Sequence, residues 1–305
     1  GIRAMVRRKA LLRRLQAAEG LGAATVICTD KTGTLTKNEM TVSRIWLPSG
    51  FIDVGGIGYE PIGDFSIDGN KIQCDEHPDL IGLLRAGSHC NHATLNRIDH
   101  CWQPLGEPTE AALIVAAKKA SMASEPPPTA VTEFSFNSNR KCMTVVETET
   151  DGQIVAFCKG APEVILDRCT HWMEGEEWRD LTPDHRTRVQ LACKQLASDG
   201  LRTLAVAQRR LADRAACNDV DTVEQKLTLL GVVGMLDPPR TEVPAAIELT
   251  RTAGIQVIMI TGDAATTATA IAESIGLHPE RTIEGREMEK LNDAELLRAL
   301  TGDVV

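Results

Sequence analysis

The sequence predicts an α/β fold in which a parallel-sheet part is interrupted by an inserted α+β part with an antiparallel sheet. Two continuous apolar strands, residues 229–235 and 255–260, are each followed by a helical pattern, and this βαβ rhythm is typical of a parallel sheet covered on both faces. A third apolar strand, residues 23–29, lies far upstream and ends at Asp30. Joining it to the later strands leaves residues 41–230 as the insertion, so the parallel-sheet part is predicted to be discontinuous in sequence.

The inserted part mixes short β-type segments with helical patterns. Glycine and other turn formers are dense over residues 50–75, which predicts hairpins there, and a proline break at residues 125–128 interrupts the pattern. Further strands are predicted at residues 131–136, 142–147, 153–158 and 203–208. Helices are predicted along the whole chain at residues 3–16, 80–92, 109–120, 162–169, 183–199, 244–253 and 266–275.

Composition excludes several functional classes. The 305 residues carry a formal net charge of -9, so general electrostatic attraction to nucleic acid or to anionic lipid is not expected. No stretch reaches the roughly 20 consecutive apolar residues that cross a bilayer, and the chain by itself is expected to be soluble. The cysteines are scattered and form no CxxC pair, which is typical of reduced thiols in a cytosolic protein.

Three polar clusters follow the three apolar strands. They are residues 30–34 (DKTGT), 237–240 (DPPR) and 261–263 (TGD). In a parallel sheet such clusters meet at the carboxyl ends of the strands, where ligands and catalytic groups collect. Asp30 leaves a buried strand into a turn rich in Gly and Thr, so its carboxylate suits a nucleophile toward phosphorus. Backbone N–H groups and hydroxyls of that turn can bind phosphoryl oxygens, and Mg²⁺ can neutralise the shared negative charge.

The segment around Asp30 carries a resemblance to a known family. Residues 28–40 (CTDKTGTLTKNEM) resemble the phosphorylation motif of the P-type ATPases, which belong to the haloacid-dehalogenase-like superfamily. The resemblance implies a haloacid-dehalogenase-like, Rossmann-type phosphorylation domain in which Asp30 accepts the γ-phosphate of ATP. Phosphatases of that superfamily carry a second Asp two residues after the nucleophile as general acid and base, where this chain has Thr32. That difference favours a pump, which needs a slowly hydrolysed aspartyl phosphate, over a phosphatase.

Two later segments resemble the other phosphorylation-domain motifs of the family. Residues 234–240 (GMLDPPR) and 259–263 (MITGD) match them in order and spacing. Through this resemblance the carboxylate of Asp30 and the backbone carbonyl of Thr32 are expected to hold Mg²⁺. The full set of residues implied for the phosphoryl site is Asp30, Lys31, Thr32, Thr34, Asp237, Arg240, Thr261, Gly262 and Asp263.

The inserted part resembles the nucleotide-binding domain of the same family. The matching stretches are residues 106–113 (GEPTEAAL), 134–143 (FSFNSNRKCM), 159–163 (KGAPE) and 201–205 (LRTLA). Phe136 can stack on adenine, and Glu110 can accept a hydrogen bond from the exocyclic amine. Cationic side chains of these stretches can meet phosphate or ribose oxygens. The residues expected to bind ATP are therefore Glu110, Phe136, Lys141, Lys159, Gly160 and Arg202.

The same resemblance predicts how the chain is organised. Residues 1–40 would hold the end of a stalk helix and the first part of the phosphorylation domain, residues 41–230 the nucleotide-binding domain, and residues 231–305 a second, truncated part of the phosphorylation domain. Membrane helices and an actuator domain are expected elsewhere in the same polypeptide, at the cytoplasmic face of a cell membrane, with a cation as the transported ion. The chain by itself is expected to bind ATP and to turn it over poorly.

The sequence leaves two alternative functions and one metal question open. A soluble haloacid-dehalogenase-like phosphatase or phosphotransferase would need a general acid and base that replaces Thr32. A nucleotide-binding module without catalysis would need only the inserted part. A run of His and Cys also has the residue types of a zinc site, although its spacing matches no common zinc pattern. Its members are His89, Cys90, His92, His100 and Cys101.

Overall fold

The computed structural model describes residues 20, 22–122, 130–263, 265–302, 304 and 305. The chain divides into two compact units. The inserted unit is Lys37–Pro238, and the discontinuous unit combines Gly1–Thr36 with Pro239–Val305. The helix predicted at residues 3–16 and the proline break at residues 125–128 lie outside the described residues.

The elements of the described chain are numbered in sequence order. The strands are β1 (Val26–Asp30), β2 (Thr41–Leu47), β3 (Gly50–Val54), β4 (Phe65–Ile67), β5 (Asn70–Lys71), β6 (Thr94–Ile98), β7 (Cys101–Leu105), β8 (Ala130–Asn137), β9 (Cys142–Thr148), β10 (Ile154–Gly160), β11 (Cys169–Glu174), β12 (Glu177–Asp180), β13 (Arg202–Leu211), β14 (Leu227–Leu236) and β15 (Gln256–Ile260). The helices are α1 (Pro78–His89), α2 (Pro108–Lys119), α3 (Pro162–Arg168), α4 (Pro183–Ser198), α5 (Val220–Val223), α6 (Val243–Thr252), α7 (Ala265–Ser274), α8 (Gly285–Met288) and α9 (Asp293–Ala299).

The discontinuous unit is built around parallel strands. β1 pairs with β15 in parallel along its whole length, and Val304 forms a further parallel bridge to Ile258 of β15. Val243 and Ile247 on α6, spaced four residues apart, share one apolar face of that helix. The buried cluster of this unit consists of Leu35, Val243, Ile247, Val257, Met259, Ala268, Ala272, Ile275 and Leu277. Burial of these side chains against β15 fixes the strand whose end carries residues 261–263.

The inserted unit contains a large sheet with the strand order β5-β4-β3-β2-β14-β13-β10-β9-β8. Each pair of neighbours in that order is antiparallel. β11 adds to the sheet by pairing antiparallel with β12 and parallel with β14, while β6 and β7 form a separate hairpin. The predicted antiparallel sheet with accompanying helices is therefore confirmed.

Helices cover both faces of the large sheet. Leu84 of α1 and Leu113 of α2 belong to one buried cluster, and Leu196 of α4 belongs to a second. On β13, Val206 belongs to the first cluster, whereas its neighbour Ala205 belongs to the second. Because successive side chains of a strand point to opposite faces, the two clusters lie on opposite sides of the sheet.

β14 overturns one prediction from the sequence. The expectation that residues 229–235 form a strand of the parallel sheet is wrong, because β14 pairs antiparallel with β13 and β2 in the inserted unit. Its residues are buried without interruption from Leu227 to Met235, since both faces of the sheet are covered. A strand buried on both faces shows no polar alternation in either kind of sheet, so the apolar run could not distinguish the two.

Most other predicted elements are confirmed with shifts of a few residues at their ends. The strand predicted at residues 23–29 forms as β1, but the prediction that it is buried is wrong, because Val26 and Ile27 are 43% and 38% exposed. β2 and the β6–β7 and β11–β12 hairpins are not predicted by the patterns described above. The units change between residues 36 and 37 and between residues 238 and 239, which differs from the predicted domain boundaries after residues 40 and 230. The functional division into domains and the haloacid-dehalogenase-like character of the discontinuous unit stay predictions.

Candidate functional site

Asp30 is the last residue of β1 and is exposed at the end of the parallel strand pair. Its Oδ1 accepts a hydrogen bond from the backbone N–H of Thr32 at 3.1 Å, which holds the carboxylate over the turn that follows. That turn contains Gly33 with a φ of +74°, a conformation that favours glycine. The Asp30 carboxylate and the Thr32 carbonyl are hard oxygen donors, which fit Mg²⁺ by ligand type.

Lys31 is turned inward and forms a buried ion pair in the discontinuous unit. Its Nζ lies 2.5 Å from Oδ2 of Asp263, and the two side chains are 3% and 6% exposed. Asp263 also donates its backbone N–H to Oγ1 of Thr261 at 3.1 Å. Because Asp30 pairs with Ile260 on β15, the turn after β1 and the residues after β15 leave the sheet side by side. The structure thus brings these predicted residues together across more than two hundred positions of sequence.

Arg240 contacts the turn that follows β1. It lies at the start of the second segment of the discontinuous unit, Pro239–Val305. Its Nη2 donates to the carbonyl of Gly33 at 2.9 Å, and its backbone N–H donates to the carbonyl of Leu35, also at 2.9 Å. These two bonds fix a guanidinium beside the turn that carries Asp30. Thr34 is exposed in the turn, and Gly262 is exposed after β15.

Asp237 belongs to the inserted unit, at the end of β14. It is buried, and its Oδ1 accepts from the backbone N–H of Glu39 at 3.2 Å. Glu39 and Asp237 also raise the pKa of Tyr59, although burial of the Tyr59 hydroxyl is the larger cause. The place of Asp237 beside a phosphate stays a prediction.

The residues predicted to bind ATP gather at one end of four neighbouring strands. β8 ends where β9 begins, with Asn137 opposite Cys142, and Cys142 lies opposite Gly160 at the end of β10. Gly160 lies in turn opposite Ala205, close to the start of β13. Four predicted residues lie at these strand ends, and a fifth directly precedes β9: Phe136, Lys159, Gly160, Arg202 and Lys141.

Phe136 is a large aromatic residue on the surface, with 66% of its area exposed. It lies in an irregular part of the β8–β9 pairing, where the register shifts between Phe134 and Asn137. Such a bulge re-aims a side chain that would otherwise follow the pleat of the sheet. An exposed ring is suited to stacking on a planar base.

Glu110 and Lys159 form a buried ion pair. Lys159 Nζ lies 2.6 Å from Glu110 Oε1, and the two side chains are 8% and 11% exposed, respectively. Glu110 Oε2 accepts from the backbone N–H of His92 at 3.2 Å. The structure therefore places Glu110, from α2, against the carboxyl end of β10.

Lys141 and Gly160 lie next to each other at these strand ends. Lys141 has a φ of +51°, and its Nζ lies 3.4 Å from Oε1 of Glu163 at the surface. A Cβ on Gly160 would lie 2.5 Å from the Lys141 carbonyl oxygen and 2.6 Å from Cys142 Cβ. Glycine is needed here because the backbone of the β8–β9 turn approaches so closely. Arg202 is exposed at the start of β13.

Two positioning residues were not singled out from the sequence. Arg140 Nη2 donates to the carbonyls of Phe134, Ser135 and Cys142 at 3.2, 3.0 and 3.2 Å, so it fastens the turn between β8 and β9. Asn91 Nδ2 donates to the Glu110 carbonyl at 2.9 Å. Arg140 stands inside the stretch 134–143, but Asn91 has no local signal, because its partner lies on the next helix.

The His and Cys run does not gather into a metal site among the described residues. His89 Nδ1 lies 2.6 Å from Glu147, and His92 Nε2 lies 2.8 Å from Glu133. Cys90 is buried, and this burial raises the pKa of its thiol to about 12. His100 and Cys101 are exposed on the β6–β7 hairpin.

Comparison with known proteins decides the family. Residues 79–242, more than half of the chain, match the family described as P-type ATPase, cytoplasmic domain N. The chain belongs to the P-type ATPase family. The matched residues include Glu110, Phe136, Lys159 and most of the large antiparallel sheet.

Curated P-type ATPases are similar to nearly the whole chain. A calcium-transporting ATPase of Bacillus subtilis is 36% identical over 301 residues, covering 97% of the chain and 34% of that protein. The calcium-transporting ATPase type 2C member 1 of Homo sapiens is 34% identical over 303 residues, covering 97% and 31%. The probable cation-transporting ATPase F of Mycobacterium tuberculosis is 40% identical over 281 residues, covering 91% and 31%.

The chain spans about a third of the length of these relatives. Among the helices of the described chain, none combines the length and the apolar character that a membrane span requires.

Proposed function

We propose that the chain is the nucleotide-binding and phosphorylation region of an ATP-driven cation pump. The observation that carries the proposal is the turn after β1, which presents the exposed Asp30 carboxylate next to the buried Lys31–Asp263 pair and is held by Arg240. Membership of the P-type ATPase family and the names of the relatives support the same function. The parent protein would lie in a cell membrane with this region on its cytoplasmic face.

In the proposed reaction a carboxylate oxygen of Asp30 attacks the γ-phosphorus of ATP. An acyl phosphate bond forms, the bond from the γ-phosphorus to the β–γ bridging oxygen breaks, and ADP leaves with that electron pair. Lys31 and Arg240 place positive charge close to the turn, where it favours the negative charge spread over the equatorial oxygens. The exposed Thr34 hydroxyl of the turn would offer a further donor to the same oxygens.

The carboxylate of Asp30 and the carbonyl of Thr32 are the groups proposed to hold Mg²⁺. When bound, Mg²⁺ would neutralise charge shared between the carboxylate and the phosphate. Thr32 itself has a hydroxyl, which cannot serve as a general acid and base at neutral pH in the way a carboxyl group can. This argues for a long-lived acyl phosphate and against a soluble phosphatase of the same superfamily.

The inserted unit is proposed to bind the nucleotide. Phe136 offers an exposed ring for the adenine, and the strand ends beside it carry Lys141 and Arg202, with Lys159 paired to Glu110. Cations at these strand ends would attract the phosphate groups of ATP, which the overall negative charge of the chain would otherwise repel.

Replacement of Phe136 by alanine tests the nucleotide proposal. Because the ring is 66% exposed, Phe136→Ala should leave folding nearly unchanged. It is expected to weaken ATP binding by about 1–3 kcal/mol through loss of the stacking surface. The affinity of the purified chain for ATP can be measured by isothermal titration calorimetry.

The matched control is Trp178→Ala, which removes another exposed aromatic residue, 43% exposed on the β11–β12 hairpin. This control is expected to bind ATP as the unaltered chain does. Equal affinities of Phe136→Ala and the unaltered chain would reject Phe136 as the base-stacking residue, and equal losses in both variants would reject a specific pocket.

A further inference from the structure

A second group of chemically active side chains lies inside the inserted unit. Cys142, Cys158 and Glu224 place two sulfurs and a carboxylate oxygen within 4.8 Å of one another, and all three residues are buried. Within residues that the structure describes, no other three His, Cys, Asp or Glu side chains converge so closely. Phosphoryl transfer and nucleotide binding, as proposed above, use none of these three side chains.

The sheet accounts for the meeting of the two sulfurs. Cys142 begins β9 and lies opposite Gly160 of β10, two residues beyond Cys158 on that strand. Positions two apart on a strand share a face, so both thiols point to the same side of the sheet as diagonal neighbours. Both also belong to the buried cluster that contains Leu196 of α4. Glu224 follows α5 and reaches the pair from outside the sheet.

Two arginine side chains pair with Glu224 and reach partly into solvent. Arg168 forms an ion pair with its carboxylate and donates from Nη1 to Cys142 Sγ at 3.4 Å, while Arg140 Nε lies 3.2 Å from Glu224 Oε2. Thr144 Oγ1 donates to Glu224 Oε1 at 2.8 Å. The two arginine side chains are 26% exposed, whereas Glu224 is 2% exposed. The guanidinium groups therefore stand between the buried ligand atoms and water.

We propose that Cys142, Cys158 and Glu224 form a binding site for a thiophilic divalent cation of the Zn²⁺ and Cd²⁺ class. Two thiolates and a carboxylate are donors that Zn²⁺ accepts in tetrahedral sites, with a fourth position left for water. Sulfur ligands select against Mg²⁺, which prefers oxygen. This site is separate in sequence and in chemistry from the one proposed for Mg²⁺ at Asp30.

Charge stays nearly balanced when such a cation enters. Each thiol releases its proton to solvent, so two protons leave as one divalent cation binds. The three ligands then carry three negative charges against two on the metal, and one guanidinium offsets the remainder. Arg168 can turn outward, because its side chain already reaches the surface, whereas Arg140 stays bonded to the carbonyls of the β8–β9 turn. The metal would link Cys142 of β9, Cys158 of β10 and Glu224, which meet only in the folded chain. Binding is therefore expected to raise the unfolding temperature of the chain.

Cadmium titration of the purified chain under reducing conditions tests the site. One equivalent of Cd²⁺ is expected to produce the ultraviolet charge-transfer band of cadmium thiolates, and Zn²⁺ but not Mg²⁺ should compete for it. Cys142→Ser and Cys158→Ser should each lower the affinity about tenfold or more. Cys193→Ser changes a half-buried thiol outside the group and should leave the titration unchanged.

Protection from alkylation in the unaltered chain supplies a measurement that does not depend on the folding of variants. Cd²⁺ is expected to slow alkylation of Cys142 and Cys158, mapped by peptide mass spectrometry, and to leave the exposed Cys101 unaffected. The proposal is overturned if no saturable binding occurs, if both serine variants keep the charge-transfer band, or if protection falls on other cysteines instead.

Discussion

Asp30→Asn is expected to abolish ATP turnover by the full-length pump proposed here, with a loss of roughly 10⁴-fold or more in rate. The carboxamide of asparagine does not form an acyl phosphate, so the proposed covalent intermediate cannot form. The shape of the side chain is kept, and its Oδ1 can still accept from the backbone N–H of Thr32. Affinity for ATP should stay the same or rise, because one negative charge facing the γ-phosphate is removed.

Separate measurements of rate and affinity make this prediction specific. Steady-state phosphate release gives the rate, and calorimetry gives the ATP affinity. Asp68→Asn is the matched control, since Asp68 is exposed in a turn with a φ of +50° that asparagine also adopts. An Asp30→Asn pump that retained normal turnover would exclude Asp30 as the nucleophile.

Lys159→Met is expected to lower the free energy of unfolding of the chain by about 3–5 kcal/mol. The ammonium group lies 2.6 Å from Glu110 in a buried pair, and its removal leaves a carboxylate without its counter-charge. Methionine keeps most of the side-chain volume, so the loss reports the missing charge and not a cavity. Urea unfolding followed by circular dichroism gives the free energies.

Two further variants separate the buried pair from ordinary surface charge. Lys141→Met removes an ammonium 3.4 Å from Glu163, where both side chains are more than half exposed, and should cost less than about 1 kcal/mol. Adding Glu110→Gln to Lys159→Met should recover part of the lost stability, because the uncompensated charge is gone. If Lys159→Met costs no more than Lys141→Met, the ion pair does not hold α2 to the carboxyl end of β10.

The spacing of apolar residues in the sequence is enough to predict helices that bury one face only. α1 and α4 were predicted within a few residues, since their apolar positions recur at helical spacing. β14 was predicted as a strand but assigned to the wrong sheet, because coverage on both faces removes the alternation that marks an antiparallel strand. β6 and β7 were missed for the opposite reason: their residues are mostly exposed and carry no apolar pattern.

The candidate phosphoryl site could be predicted in part because strand ends concentrate polar residues. Asp30 ends β1, and Asp263 lies three residues after β15. The parallel pairing of these two strands explains why Lys31 and Asp263 meet. The partners of Glu224 could not be predicted, because Arg168 and Cys142 lie 56 and 82 positions away in sequence. Only the packing of α3, α5 and β9 brings those side chains together.

The most direct test of the central claim is chemical identification of the phosphorylated residue. The full-length pump is incubated briefly with Mg²⁺ and ATP labelled on its γ-phosphate, quenched in acid, and digested for peptide mapping. We predict an acid-stable, hydroxylamine-sensitive label on the peptide that contains Asp30, and no label in Asp30→Asn. Label on another residue, or its absence while ATP is being hydrolysed, would contradict the proposal that Asp30 accepts the phosphoryl group.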